Sequence, residues 1–385
     1  MKRRYRSFNR IFIVGCASVL LVIILLNLLV DPYGVWRSPV DRNLNLKKPN
    51  LFTHQRMLKA ADIIHDKPKV VFLGSSKVQN GLEPDDYFRL TGKPAYNLGM
   101  GGAVMSEQLA YLKHALYNQP SLNTVVIGLD FRSFNRFRPV TPDYDEARLQ
   151  IPSLLLSPDF FKTTITLDAI KESINTIKAN KDSNYPENVF NRNGKRTEQS
   201  LQAENGGRNM IDIFAGYWSA SMNSTETYKT YELSEQYLDD FKAIVELCKD
   251  KRIKLLVFVS PSHASLVESI RVAGQWDNYE QWKRKLVEIT PLWDFSGYNS
   301  ITSEPITNQM QNYWDSTHYR KNVGKMVLER MLAINDERLH NDFGVWIENE
   351  STMETHLQTI RQLQLSWNEQ NVGIVKMIQD LKPTA

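Results

Sequence analysis

Apolar positions are unevenly spread along the chain, and the longest run comes first. Ile11 to Val30, "IFIVGCASVLLVIILLNLLV", is a stretch of roughly 20 mostly apolar residues, the length a helix needs to cross a bilayer. Residues 31–66 then read as a connector. "DPYGVWRSPVDRNLNLKKPN" is rich in Pro, Asn and charge, and "LFTHQRMLKAADIIHD" has helical spacing. From Lys67 a regular alternation begins. Runs of Val, Ile, Leu and Phe at 69–73, 95–98, 124–129, 254–259 and 292–295 predict buried strands. Amphipathic stretches such as "MSEQLAYLKHALYNQ" and "SEQYLDDFKAIVELCKDK" lie between most of them. Strands alternating with helices predict an α/β domain with a parallel sheet covered on both faces.

Open sheets of this kind place their ligands at the carboxyl ends of the strands. In "KPKVVFLGSSKVQNGLEPDDY" the first predicted strand stops on Gly74 and two serines. A serine there can be exposed, with backbone N–H groups and a helix N-terminus beside it. A helix N-cap accounts for the same residue without chemistry. A serine nucleophile needs a base within hydrogen-bond reach and an acid to orient that base. "NYWDSTHYRKNVGKMVLERML" supplies Asp315 and His318, three residues apart just before a helix, a spacing that brings both side chains to one side of a turn. Asp315 also fits a plain helix cap. His54, His65, His114, His340 and His356 sit in neighbourhoods that read as ordinary helix positions.

Composition narrows the classes. With 385 residues and 42% hydrophobic content, the chain can bury one large core or two modest ones. The net charge is only +4, and five basic residues fall in the first ten positions, so nothing in the remaining balance suggests a nucleic-acid binder, and none is expected as a partner. Lys2, Arg3, Arg4, Arg6 and Arg10 instead flank the apolar run and are expected to stay cytoplasmic, leaving everything after Asp31 on the extracytoplasmic side. A cleaved signal peptide calls for a shorter apolar segment and a small-x-small site, which "LLVDPYGVW" lacks. An uncleaved anchor is therefore expected. Of the two cysteines, Cys16 lies within the apolar run with too few apolar residues before it for lipidation, and Cys248 lies in a helical stretch. No intramolecular disulfide is expected. No internal repeat, Gly-rich phosphate loop or metal-ligand cluster stands out, so no cofactor and no metal are expected.

Four short blocks, "GSS" at 74–76, "NLGMGG" at 97–102, "GLDF" at 128–131 and "DSTH" at 315–318, occur in the order of the sequence blocks of the SGNH, or GDSL-like, hydrolases. Over roughly 67–335 the chain resembles that superfamily. The resemblance implies a three-layer α/β/α, flavodoxin-like fold with a central parallel five-stranded sheet. It implies Ser76 as nucleophile, His318 as general base and Asp315 as the residue orienting it, with the N–H groups of Ser76 and Gly102 facing the oxyanion. Two departures stand out. Ser75 occupies a position where most members have Asp, as in the membrane-anchored relatives that serve D-alanyl transfer to teichoic acids. Asp130 stands where the family places an oxyanion-binding Asn. An ionised carboxylate there would repel the developing charge, so Asp130 must be protonated, turned away, or replaced as donor by another group.

The anchored arrangement resembles the alginate acetylation and D-alanyl transfer proteins, which act on cell-surface polymers. "VFVSPSHASL" resembles the Pro-containing strand end of such members, where His263 can contact substrate or simply belong to a strand-to-helix cap. A long insertion, 132–233, opens with "RSFNRFRPV", whose Arg132, Arg136 and Arg138 can hold an anionic sugar or form a solvated basic loop. Residues 336–385 read as a C-terminal helical extension, with Met353, Leu357, Ile360, Leu363 and Trp367 near one face for packing on the domain or a partner helix. The expected layout is a basic segment 1–10, a transmembrane helix 11–30, a connector 31–66, an SGNH-like domain 67–335 and that extension. The expected function is a single-pass acyltransferase or esterase of the cytoplasmic (inner) membrane with its domain outside, periplasmic, modifying a cell-envelope or secreted polysaccharide through an acyl-Ser76 intermediate. The alternative is a noncatalytic polysaccharide-binding or assembly partner of a multi-span membrane acyltransferase. Asp130 favours the alternative; the intact Ser76, Asp315 and His318 favour the enzyme.

Overall fold

The computed structural model describes residues 2–150, 153–186, 188–334 and 341–382. His340, the expected domain boundary at Asn335 and the chain end at Ala385 lie outside the described residues. The chain divides into two compact units: one formed by Met1–Lys67 and Asp143–Phe190, the other by Pro68–Pro142 and Asn191–Ala385. The expected insertion is thus shared, its middle belonging to the first unit and its flanks to the second.

In the first unit, one helix runs from Lys2 to Val30. Its stretch from Tyr5 to Val30 is long and apolar enough to cross a membrane, and most of it is exposed. Its last carbonyls, which no helix can satisfy internally, take side-chain donors: Ser38 bonds the Leu28 carbonyl, Asn45 that of Leu29 at 3.0 Å, and Lys48 that of Val30 at 3.2 Å. The connector's predicted helix is present at Gln55–Asp66, and His54 precedes it. Asp143 Oδ2 accepts from the Arg56 N–H at 2.7 Å and so ties the segment 143–190 to that helix.

The second unit is α/β. Its strands are β1 (Val70–Gly74), β2 (Ala95–Asn97), β3 (Thr124–Leu129), β4 (Lys254–Val259), β5 (Leu292–Asp294) and β6 (Val345–Ile347), in the order β2-β1-β3-β4-β5-β6. The first five are parallel, and β6 runs antiparallel to β5. The five predicted strands are all present, but the sheet is six-stranded and mixed rather than five-stranded and parallel. Alternate residues of one strand face opposite sides, and both sides are covered. Val70, Phe72, Val126 and Phe258 join Val78, Phe214, Val323 and Ile378 from helices in one core, while Val71, Leu73, Val125 and Ile127 are buried on the other side.

The C-terminal extension is part of this unit and carries a strand as well as helices. The Glu350–Gln370 helix buries Met353, Leu357, Ile360 and Trp367, while Leu363 of the same stripe is exposed. His356, expected to be an ordinary helix position, bonds Asp294 Oδ2 at 3.0 Å, beside the buried Lys283–Asp294 pair at 2.5 Å.

Register explains the placement of the motifs. Gly74 pairs with Gly128 and Gly128 with Phe258, so the residues after β1, β3 and β4 emerge together at the carboxyl edge. The strand order reverses between β1 and β3, which makes this the topological switch point.

Candidate active site

The turn after β1 is built to lower a helix onto the sheet. Ser75 is the N-cap of the Ser76–Gly81 helix, its Oγ accepting from the Lys77 N–H at 3.3 Å. Val78 drops toward β3 at Gly128, where a Cβ would stand 2.5 Å from Val78 Cγ2 and 2.7 Å from Phe258. Only glycine leaves that space, which gives the "GLDF" block a packing reason. Ser76 opens the helix, so its N–H has no intrahelical acceptor, and its side chain stays half-buried while its neighbours are enclosed.

His318 reaches Ser76 from a tight loop. Asp315 Oδ1 accepts from the N–H groups of Thr317 at 2.7 Å and His318 at 2.9 Å, so the aspartate shapes the turn that carries the histidine. Its other oxygen, Oδ2, lies 2.7 Å from His318 Nδ1, and His318 Nε2 lies 2.8 Å from Ser76 Oγ. The carboxylate sets the tautomer: Nδ1–H donates to Asp315, leaving Nε2 to accept the serine proton. Tyr217, from the Met210–Asn223 helix, stands edge-on to the imidazole at 5.8 Å between centroids. Burial, reinforced by the nearby Asp315 charge, pushes its hydroxyl pKa up, so Tyr217 stays neutral.

Asp130 is turned away from this line. Its Oδ2 accepts from Ser75 Oγ at 3.0 Å and its Oδ1 pairs with Lys77 Nζ at 3.1 Å; Lys77 also donates to Ser262 Oγ at 2.7 Å. All four side chains are buried. Burial drives both charges toward neutrality. For Asp130 it is outweighed by the charges of Lys77 and Arg132 and by bonds from Lys77 and Ser75, which hold the carboxyl below its usual range. For Lys77 burial prevails and lowers the ammonium pKa, against the pull of Asp130. Ser75 is thereby committed twice, as cap and as donor, and Ser76 is the hydroxyl left facing His318.

Gly102 lies in the loop after β2, which runs against the end of β1 through the Met100 N–H to Gly74 carbonyl bond at 3.0 Å. Arg138 Nε holds the Gly102 carbonyl at 3.1 Å and is itself buried, and Arg136 pairs with Glu232 at 2.6 Å. The side chain of Arg132, half-buried just after β3, makes no hydrogen bond or ion pair among the described residues, although its charge acts on Asp130, Lys77 and Tyr217. His263 has both ring nitrogens engaged inside the protein. It is buried, Nδ1 meets Ser265 Oγ at 2.7 Å, Nε2 meets the Glu304 carbonyl at 2.7 Å, and burial lowers its pKa to about 4. It is the neutral N-cap of the Ala264–Val272 helix.

Ser76, His318, Asp315 and Asp130 thus gather at one edge, Arg132 follows Asp130 in the chain, and His263 lies behind the Asp315–His318 loop, its N–H donating to the Ser316 carbonyl at 3.1 Å while its ring is buried. Sequence reasoning missed Lys77, Ser262 and Tyr217. A charged residue one step past the serine in "GSSK", opposite an aspartate one step past the paired strand, was the available signal for the first. A hydroxyl bonded to an imidazole that is bonded to a carboxylate can give up its proton and attack a carbonyl.

No protein-family model matches the chain, and no curated protein matches it. A solved structure described as "a putative platelet activating factor from Streptococcus pneumonia" is similar at a TM-score of 0.35 and 10% identity, over 74% of this chain and 94% of that one.

Proposed function

We propose that this chain is an SGNH-type serine O-acyltransferase or esterase, anchored by its N-terminal helix in the cytoplasmic membrane, with its catalytic unit outside and a cell-envelope or secreted polysaccharide as acceptor. The observation that carries the reading is the unbroken hydrogen-bond line from Ser76 through His318 to Asp315, at 2.8 and 2.7 Å. The order 2-1-3-4-5 of the parallel strands, which is the flavodoxin-like order, supports the fold, with antiparallel β6 as this chain's addition. The basic flank before Ile11 supports the orientation.

His318 Nε2 takes the Ser76 proton as Oγ bonds to the acyl carbonyl carbon. The carbonyl electrons move to oxygen, where the Ser76 and Gly102 N–H groups serve as donors. Collapse breaks the ester bond and His318 returns the proton to the leaving alcohol, giving acyl-Ser76. A sugar hydroxyl or water, deprotonated by His318, then takes the acyl group and frees Ser76. Arg132 supplies the positive group that the family's amide would otherwise provide as a dipole, since Asp130 is committed to Lys77 and Ser75.

Asp130 in the amide position favours a second reading, a noncatalytic polysaccharide-binding or assembly partner of a multi-span membrane acyltransferase. Turnover of a small acyl ester by the full chain separates the two. Turnover lost in Ser76→Ala, with circular dichroism unchanged, supports the enzyme; turnover equal in wild type and Ser76→Ala refutes it.

A further inference from the structure

The first unit carries an apolar corner that its own packing leaves uncovered. Leu155, Leu156, Phe161 and Leu167 are 67%, 75%, 60% and 84% exposed. Single exposed leucines are ordinary, but four large apolar side chains left exposed within the one short segment 155–167 are the kind of apolar surface that marks an interaction site. Lys162 and Asp168 follow Phe161 and Leu167 in the chain, Lys162 paired with Asp145 at 2.8 Å.

The neighbouring element says what covers it. Helices Pro158–Thr164 and Leu167–Lys181 pack against the apolar Lys2–Val30 helix. Asn27, fully buried near the end of that helix, donates to the Thr164 carbonyl at 2.8 Å and accepts from Ser173 Oγ at 2.7 Å. Trp36, just beyond, donates to Thr163 Oγ1 at 3.0 Å and stands edge-on to Phe160. The patch is therefore fixed to the helix end. Partial covering of the helix begins at Ile23 and Ile24, about 10 Å before Val30 at 1.5 Å per residue. The apolar run from Ile11 to Val30 matches the roughly 30 Å hydrocarbon thickness, so the two packed helices flank its outermost part. Leu25, Leu26 and Leu29, at the same level, are exposed as lipid-facing residues are.

We propose that Leu155, Leu156, Phe161 and Leu167 insert into the leaflet from which the N-terminal helix emerges, so that the first unit is seated on the phospholipid surface as well as tethered to it. This rests on the membrane-crossing reading of Tyr5–Val30. Apolar side chains enter the headgroup and acyl boundary while Lys162 reaches back to the interface. Such seating fixes the height of the first unit above the bilayer, which a tether alone does not.

The test uses the full chain with Cys16→Ala, reconstituted in phosphatidylcholine and phosphatidylglycerol vesicles, with an environment-sensitive fluorophore on one introduced cysteine at a time. Val19→Cys reports the membrane helix, Leu156→Cys the patch, and Lys181→Cys the far end of the Leu167–Lys181 helix, about 20 Å along it from Leu167. Lipids carrying a nitroxide on the upper acyl chain should quench the Val19 and Leu156 labels several-fold more than the Lys181 label. Quenching at Leu156 no greater than at Lys181, while Val19 is quenched, overturns the seating and leaves the anchor intact. Protection of Leu156 from aqueous iodide without lipid quenching points to a protein on the patch and overturns it too. A Val19 label without lipid quenching overturns the membrane-crossing reading and the seating with it.

Discussion

Replacing Asp130 by an amide tests the most unusual feature of the site. If Asp130 did no more than repel an oxyanion, Asp130→Asn would raise turnover. The structure assigns it a different task, as the counter-charge of Lys77 at 3.1 Å, with side-chain exposures of 4% for Lys77 and 2% for Asp130. Removing one partner of a buried pair costs about 3–5 kcal/mol. An independent bound agrees: Lys77 can escape by losing its proton, which at pH 7 costs at most about 1.36 × (10.4 − 7), or roughly 4–5 kcal/mol. For a unit of this size, roughly 2 °C per kcal/mol translates the loss into a fall of about 6–10 °C in the melting temperature. Scanning fluorimetry of the full chain in detergent measures it. The penalty should shrink by about 1.4 kcal/mol for each pH unit above 7, because neutral Lys77 is then less costly. Adding Lys77→Met to Asp130→Asn should recover most of the loss, since no unpaired charge remains. An Asp130→Asn protein as stable as wild type, with faster ester turnover, would refute the reasoning.

Three further outcomes follow from the geometry. A Cβ at Gly81 would stand 1.9 Å from the Tyr319 ring, next to His318, so Gly81→Ala should displace the imidazole and cut ester turnover by roughly 10²-fold; unchanged turnover would show that the two loops are not coupled. His263 has a folded pKa of about 4 against 6.5 when free, so the unfolded chain binds the extra proton between those values and stability is lost as pH falls from about 6.5 to 4, by up to roughly 3 kcal/mol; urea titrations of His263→Asn, which keeps a capping oxygen, should lose that part of the acid dependence. Arg132→Met should lower kcat/KM by about 10²-fold with the melting temperature unchanged, and Arg132→Lys should restore part of it; a fall in stability instead would make the residue structural.

β1 and β3 were the most legible parallel strands because they are buried along their whole length and read as nearly unbroken apolar runs, whereas β4 opens on the exposed Lys254 and was read from its apolar remainder. β6 was not legible, since Val345 and Trp346 are 39% and 48% exposed and no buried apolar run marks the strand. Ser76, Asp315 and His318 could be picked out because each motif is local. The Lys77–Asp130 pair could not, because it exists only once the Gly74–Gly128 register places two distant loops side by side. For His263 the sequence left substrate contact and a strand-to-helix cap both open, because a polar residue at a strand end looks the same whether it faces solvent or, as here, caps a buried helix. Nor does anything local in the segment 143–190 tie it to the N-terminal unit; bonds such as Asn27 to Thr164 and Arg56 to Asp143 do that across more than half its distance from the chain start.

Site mapping of a fluorophosphonate adduct addresses the chemistry most directly. The full-length protein is labelled and digested, and the modified residue is read by peptide mass spectrometry. Ser76 should carry the adduct and Ser75 should not, because Ser75 is buried between the Lys77 N–H and Asp130. Ser76→Ala should abolish labelling, and His318→Ala should slow it by at least about 10²-fold, as expected for the loss of a general base. An adduct on Ser75, or none on either serine in the folded protein, would contradict a nucleophilic Ser76 and leave the binding or assembly role in its place.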